Sequence, residues 1–373
     1  MIFKTPLLGK QDEQVIAQIV EAKASLGYAL HLPRRWTGLL RRSTLGRAIR
    51  GSNSIEGYRI GTEDVVAAAV GDFVEANDDT RQATEGYRRA MTYALRLAGE
   101  QDFVWSTQVI KSLHYMMLEH ALDKNPGKWR PGQVFVVGEN TNETVYEGPN
   151  FERVAPLMDE LVDSLATVAE TLPALVEAAM AHLNLTMIHP FSDGNGRMAR
   201  CLQTLVLGRG GTLEPTFSSI EEYLGRNHRA YYDVLAHVGQ GSWHPERDAQ
   251  PWVQFCLRAH YYQAHTLLRR IREGERTWTA LEARVMALDL PERMVLALWD
   301  AAQGFRVRNG TYRSAADISE QSASKDLRTL VEAGLLEAHG AKRGRFYTAV
   351  QKILEVQRDT AEDRLIPDPY GVT

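Results

Sequence analysis

The sequence predicts a mainly α-helical protein with one short β-hairpin and a distinct C-terminal module. Three observations carry that expectation. Apolar residues recur at helical spacing through most of the chain, the pattern turns to β-branched and aromatic residues between 127 and 150, and a new set of short elements begins after about 285. At 373 residues the chain exceeds what one hydrophobic core usually organises, so a main body with smaller modules is expected.

The elements follow in order. Residues 11–30 place Val15, Ile16, Ile19, Val20 and Ala24 at helical spacing, and comparable amphipathic stretches cover 36–50, 62–72, 79–98, 106–121 and 153–169. Gln133 to Val137 and Thr144 to Tyr146 flank the polar turn Gly138 to Asn142 and read as a hairpin. An apolar helix runs from Leu175 to about Ile188, is broken by Pro190 and a glycine-rich turn, and resumes with Met198, Cys201, Leu202, Leu205 and Val206. Further helices are expected at 293–302, 314–319 and 323–333, with a short basic hairpin at 339–349.

Composition narrows the class. With 44% hydrophobic and 24% charged residues the chain is globular rather than fibrous or disordered. Met1 to Pro6 lack a basic region ahead of an apolar run, and no stretch approaches the roughly 18 apolar residues of a membrane span, so a cytoplasmic protein without a membrane partner is expected. Cys201 and Cys256 lack paired spacing and are read as buried thiols. A net charge of −4 gives no global attraction to nucleic acid, so any DNA role must rest on a local patch.

The run from His189 to Arg200, His-Pro-Phe-Ser-Asp-Gly-Asn-Gly-Arg-Met-Ala-Arg, concentrates the chemistry. Gly194, Asn195 and Gly196 open a helix, and small residues there let backbone N–H groups approach an anion. Arg197 and Arg200 are three apart on that helix and can hold successive phosphates. Asp193 offers a hard oxygen to the Mg2+ that nucleotide phosphates carry. His189, as a neutral imidazole, can take the proton of an attacking hydroxyl. Phe191 is expected as an apolar anchor for the turn. Singly these residues read as a structural histidine, an Asx turn, an ordinary glycine turn and a solvated arginine face; their combination points to nucleotide chemistry.

At every fixed position this run resembles the signature of Fic-domain proteins, His-x-Phe-x-(Asp or Glu)-Gly-Asn-(Gly or Lys)-Arg-x-x-Arg. The resemblance, extending over about residues 10–265, implies a Fic-type helical bundle that binds ATP and Mg2+. In it His189 deprotonates the target, Asp193 binds the metal, Gly194 to Gly196 cradle the α- and β-phosphates, and Arg197 and Arg200 hold the β/γ end. Glycine at 196, where kinase-like relatives carry lysine, implies transfer of AMP to a Ser, Thr or Tyr hydroxyl of a protein, this chain included. Gly127-Lys-Trp-Arg130 and Val134, Phe135, Val136 and Val137 resemble the family's flap (127–150), which aligns the target segment by β-strand addition. Glu147-Gly148-Pro149 departs from the Pro-Pro pair frequent there. Tyr231, within Glu221 to Tyr232, is implied to lie near the adenine or ribose.

Ser52-Asn-Ser-Ile-Glu-Gly57 resembles the family's inhibitory pattern, (Ser or Thr)-x-x-x-Glu-(Gly or Asn), N-terminal to the core. Ser52, Glu56 and Gly57 would then form a brake in which Glu56 pairs with Arg200 and occupies the γ-phosphate position. In some relatives the corresponding glutamate also orients water for AMP removal, so a bifunctional enzyme is one alternative. A nucleotide-sensing DNA-binding regulator is another.

Ser314 to Leu336 followed by Gly340 to Arg345 resembles a winged helix-turn-helix, with Ser322, Ser324, Lys325 and Arg328 facing a groove and Lys342, Arg343 and Arg345 on phosphates. Residues 291–350 hold nine Lys and Arg against seven Asp and Glu, a difference of only +2 (9 − 7), so a protein-contact or homodimer module is favoured over DNA binding. The expected organisation is 1–100 (N-terminal helices with the inhibitory motif 52–57), 101–265 (catalytic core), 285–350 (winged-helix module) and 351–373 (tail).

Overall fold

The structure, a computed structural model, describes residues 1–31, 35–72, 77–137, 144–167, 172–211 and 214–371. It is mainly helical, as the periodicity predicts. Helices α1 (Lys10–His31) and α2 (Thr37–Ile55) lead through α3 (Val65–Val70) to α4 (Asp78–Leu97) and α5 (Thr107–Leu118). Asn77 and Ser106 cap the last two, accepting the N–H groups of Thr80 at 2.8 Å and Val109 at 3.3 Å. Strands β1 (Phe135–Val137) and β2 (Thr144–Glu147) pair antiparallel, with Phe135 opposite Glu147 and Val136 opposite Tyr146. The turn expected at Gly138 to Asn142 lies outside the described residues.

Helices α6 (Val154–Ala166), α7 (Ala174–Ile188) and α8 (Asn195–Arg209) follow, then the short α9 (Pro215–Ser218) and α10 (Glu221–Arg226), α11 (His228–Gly239), and the 38-residue α12 (Gln250–Ala287). The C-terminal region holds α13 (Met294–Ala302), α14 (Asn309–Ala316) and α15 (Glu320–Glu332), the antiparallel strands β3 (Leu336–His339) and β4 (Phe346–Ala349), and α16 (Gln351–Thr360). No described helix is long and apolar enough to cross a membrane. Cys201 and Cys256 are buried free thiols.

Two large apolar cores organise the described residues, with a small third cluster of Val65, Val66 and Phe305. The larger surrounds α7, whose apolar residues point inward on nearly every side, as expected of a helix lacking a polar face. It draws on α4, α5, α6, α8 and the first half of α12. The second gathers Leu267, Ile271, Leu281 and Val285 from the second half of α12 with residues of α13, α15 and α16, and also takes in Leu26 of α1 and Trp36, Leu39 and Leu40 around the start of α2. Helix α12 thus runs unbroken through residue 265 and belongs to both cores.

The structure moves one helix relative to the sequence expectation. Helix α14 spans Asn309–Ala316 rather than 314–319. Thr311 Oγ1 accepts the Arg308 N–H at 3.1 Å and starts the helix early, while Asp317 at φ 52 ends it. Ser319 then caps α15 by accepting the Ser322 N–H at 3.1 Å.

Helix α2 is fastened tightly to its neighbours. A Cβ on Gly46 would lie 2.0 Å from the Val65 carbonyl oxygen, and one on Gly51 would lie 2.4 Å from that of Glu221, so only glycine lets α2 press its backbone onto α3 and α10. The C-terminal region grips the same helix. Arg42 pairs with the buried Asp300 and donates to the Thr311 carbonyl at 3.2 Å. Arg306 and Arg308 reach Asp64, just ahead of α3, at 3.0 and 2.9 Å. The tail after α16 returns along α12, pairing Glu362 with Arg272 and Arg276 and Asp368 with Arg258, until the Tyr370 hydroxyl donates to Asp12 at 3.1 Å.

Arg42→Ala strands a carboxylate that is only 3% exposed, and is expected to lower unfolding stability by about 3 kcal/mol, read by denaturant titration. A loss below about 0.5 kcal/mol would contradict a buried, interdependent pair.

Candidate functional site

The site forms where α7 stops. His189 takes a left-handed conformation (φ 50) while its N–H still bonds Leu185 at 3.0 Å, and Pro190 cannot continue the helix. The chain turns through Phe191, Ser192 and Asp193 and re-enters a helix at Gly194, whose φ of 73 favours glycine. Asn195 closes the turn with its own side chain, accepting the Phe191 N–H and donating to the Phe191 carbonyl, both at 2.9 Å. Phe191 is fully buried, its ring stacked on His114 at 3.6 Å and tilted against Trp129 at 5.0 Å.

His114, on α5, acts as a strut beneath this turn. Its Nδ1 accepts the Gly127 N–H at 2.9 Å, which makes Nε2 the protonated nitrogen that donates to the Asp193 carbonyl at 2.9 Å. Burial pushes its pKa down to about 4, so this neutral tautomer persists at neutral pH.

A cavity of about 500 Å³ opens over the turn, walled by Ser192 to Gly196, by Glu56 from the end of α2, by Tyr231, Tyr232 and Asp233 from α11, and by the hairpin. His189 lies in the wall. Its Nδ1 sits 3.2 Å from the Thr186 carbonyl, an acceptor only, so the N–H is there and Nε2 keeps the lone pair. Burial pulls its pKa down to about 4, with Arg130 adding to the effect and Glu56 and Asp193 opposing it. Asp193 Oδ1 accepts the Gly194 N–H at 2.6 Å, which steadies the carboxylate beside the turn. Among the described residues no group of three or more His, Cys, Asp or Glu could hold a metal unaided. One fixed carboxylate fits instead an ion that brings its remaining oxygen ligands from a nucleotide's phosphates.

The hairpin is anchored to the turn at its base. Arg130 donates through Nε to the His189 carbonyl at 2.9 Å, through Nη1 to Gly132 at 2.6 Å and through Nη2 to Pro149 at 2.5 Å. The Arg130 N–H also bonds the Pro190 carbonyl at 2.9 Å. Tyr146 donates its hydroxyl to the Met187 carbonyl at 2.8 Å. Phe135 and Val137 are exposed, while Val136 between them is half-buried.

Arg200 and Glu56 meet on the opposite side. Glu56 Oε1 lies 2.7 Å from Arg200 Nη2. Arg200 Nε donates to Ser52 Oγ at 2.7 Å, and Nη2 also donates to the Ser52 carbonyl at 3.1 Å. A Cβ on Gly196 would lie 2.4 Å from Glu56 Oε1, so the carboxylate rests directly on the glycine of the turn. Burial pushes the Glu56 carboxyl up, but Arg200 and Arg197 outweigh it and hold it below its usual value, ionised at neutral pH. Gly57, at φ 84, turns the chain out of α2.

Of the other expected residues, Arg197 sits behind the cavity and Tyr231 in its wall. Arg197 is buried outside the cavity lining, its guanidinium 5.1 Å over the Tyr58 ring. Its Nε and Nη1 have no hydrogen-bond partner among the described residues. Tyr231 is buried, with its hydroxyl 3.0 Å from His182 Nε2. Sequence reasoning did not single out His114, Ser192 or Asp233, and mentioned Glu221 only as part of a longer stretch. For His114 a signal existed, as it shares a helical face with Ile110, Leu113 and Met117, where an isolated polar residue is out of place.

Comparison with known proteins agrees with this geometry. Residues 104–207 match the profile of the Fic/DOC family. The chain is 33% identical over 173 residues to protein adenylyltransferase Fic of Aedes aegypti, a match covering 46% of this chain and 30% of that protein. It is 27% identical over 262 residues to protein adenylyltransferase fic-1 of Caenorhabditis elegans, covering 68% of this chain and 47% of the relative. The chain therefore spans about a third to a half of these relatives' lengths. Among solved structures, a Fic family protein from Desulfovibrio desulfuricans G20 superposes with a TM-score of 0.59 at 23% identity, over 93% of this chain and 98% of the other. A fragment of C. elegans Fic-1 gives a TM-score of 0.54 at 21% identity over 69% and 72% of the two chains. These two likenesses speak for the fold. The sequence match falls on the segment that builds the α7–α8 turn and its strut, so residues 104–207 are the part of this chain that is similar to the Fic/DOC family.

Proposed function

We propose that this protein is a self-inhibited protein adenylyltransferase, moving AMP from ATP to a Ser, Thr or Tyr hydroxyl of a protein, itself included. The observation that carries the reading is the 2.7 Å contact between Glu56 and Arg200 in the cavity that also holds His189, Asp193 and Gly196. The names of the sequence relatives support the transferred group.

In the reaction the substrate oxygen bonds to the α-phosphorus as the bond to the bridging oxygen of pyrophosphate breaks. His189 Nε2 takes the hydroxyl proton, and pyrophosphate leaves. The first turn of α8, from Asn195, has backbone N–H groups without intrahelical partners, which suit the phosphates. Asp193 would hold the Mg2+ that arrives with ATP and offsets phosphate charge. Arg200 takes the β/γ end, Asn195 and Tyr231 line the cavity wall, and Arg197 acts from behind it. The exposed Phe135 and Val137 support a hairpin edge that accepts a substrate strand.

The brake is electrostatic competition. The Glu56 carboxylate occupies the guanidinium that a γ-phosphate needs, and two anions cannot share that place, so bound ATP is held unproductively. The C-terminal helices and hairpin, read as a winged helix, serve as a protein-contact module. Their grip on α2 through Arg42 and Asp300 supports that reading over a DNA-binding regulator.

AMP incorporation from labelled ATP with Mg2+ tests the proposal. Glu56→Gly is expected to raise incorporation about tenfold or more, and adding His189→Ala to reduce it by about a hundredfold or more. ATP binding without labelling in every variant would sink the proposal.

The pH dependence supplies a second test. A base lowered to about 4 stays neutral well below pH 6.5, and since Glu56 favours its protonated form, removing Glu56 moves the acid limb further down. The kcat/KM of Glu56→Gly should therefore hold level from pH 8 to below 6. A midpoint at or above 6.5 would contradict this assignment of the base.

A further inference from the structure

We infer that Ser52 is a positioning residue that keeps Arg200 aimed at the nucleotide when Glu56 withdraws, so that the two ends of the 52–57 motif act in opposite senses. The inference rests on the reading of Arg200 as a phosphate ligand.

A guanidinium has two usable edges. The side edge of Arg200, formed by Nε and Nη2, is held by Ser52, whose Oγ accepts at 2.7 Å and whose carbonyl accepts at 3.1 Å. The end edge, Nη1 and Nη2, faces the turn. Glu56 bonds Nη2 there, while Nη1 has no partner among the described residues and lies 3.1 Å from where a Gly196 Cβ would stand. Glu56 therefore covers only the edge a phosphate would use. Its departure frees that edge without releasing the other.

The Ser52 hydroxyl can serve this way because it is itself fixed. Ser52 is wholly buried, and Gly51, one residue before it, packs against the Glu221 backbone, so α2 and α10 are locked in register around it. Glu221 is 1% exposed and accepts from the Tyr87 hydroxyl at 2.7 Å and Thr204 at 3.3 Å, which holds α10 in place beside Ser52.

The test compares binding of the β,γ-imido analogue of ATP with Mg2+, by calorimetry, to Glu56→Gly, Glu56→Gly/Ser52→Ala and Glu56→Gly/Ser52→Thr. Loss of the hydroxyl is expected to weaken binding about tenfold, the scale of one charge-assisted hydrogen bond, and threonine to restore it. In steady-state AMP transfer the same change should raise the KM for ATP more than it lowers kcat. Ser52→Ala with Glu56 intact should not raise incorporation. Unchanged affinity in a folded Glu56→Gly/Ser52→Ala protein, even with a lower Tm, would overturn the inference, as would activation by Ser52→Ala alone. The underlying reading fails separately, if Glu56→Gly binds the analogue yet transfers no AMP.

Discussion

Everything distinctive about the site depends on one carboxylate at one distance. Glu56 rests on Gly196 and bonds Arg200 because α2 is pushed into the helical core further than any helix with side chains at positions 46 and 51 could go. Two glycines set the approach, α3 and α10 receive it, and the C-terminal region clamps the opposite end of the helix at Arg42. An ion pair between flexible side chains on a surface would contribute little. Here the arginine side chain is wholly enclosed and the glutamate half-buried, and the partners are placed by backbone contact rather than by chance encounter.

The turn that Glu56 watches over is built on the same economy. Asn195 ties the loop to itself, Phe191 pins it to the interior, and His114 ties its carbonyl to the foot of the hairpin. Arg130 then joins that foot to His189. The segment that would present a substrate strand and the segment that would hold phosphate are thus hydrogen-bonded to each other, which would suit a reaction that depends on placing a hydroxyl oxygen in line with a phosphorus atom.

Much of this was legible in the sequence because it is local. The break at Pro190, the glycines at 194 and 196 and the Ser52–Glu56 spacing are short-range signals, and helical periodicity gave most elements to within a few residues. What stayed hidden was tertiary. Helix α14 shifted because a threonine capping bond and a left-handed aspartate outweigh the apolar pattern. Arg197 shares a helix face with Arg200 by spacing, yet the Tyr58 ring draws its guanidinium away from the cavity. His114 is invisible as a partner of the turn because it lies 79 residues from Asp193 and meets it only on folding.

The central claim is that charge on Glu56, rather than its bulk, keeps Arg200 from the nucleotide. Glu56→Gln keeps the side chain's length and shape and removes only the charge, so the most direct measurement is AMP incorporation by that variant beside the unaltered protein. The account predicts incorporation clearly above the unaltered level, because a neutral amide no longer competes with a phosphate for the guanidinium. Incorporation indistinguishable from the unaltered protein, in a variant that folds and binds nucleotide, would contradict it.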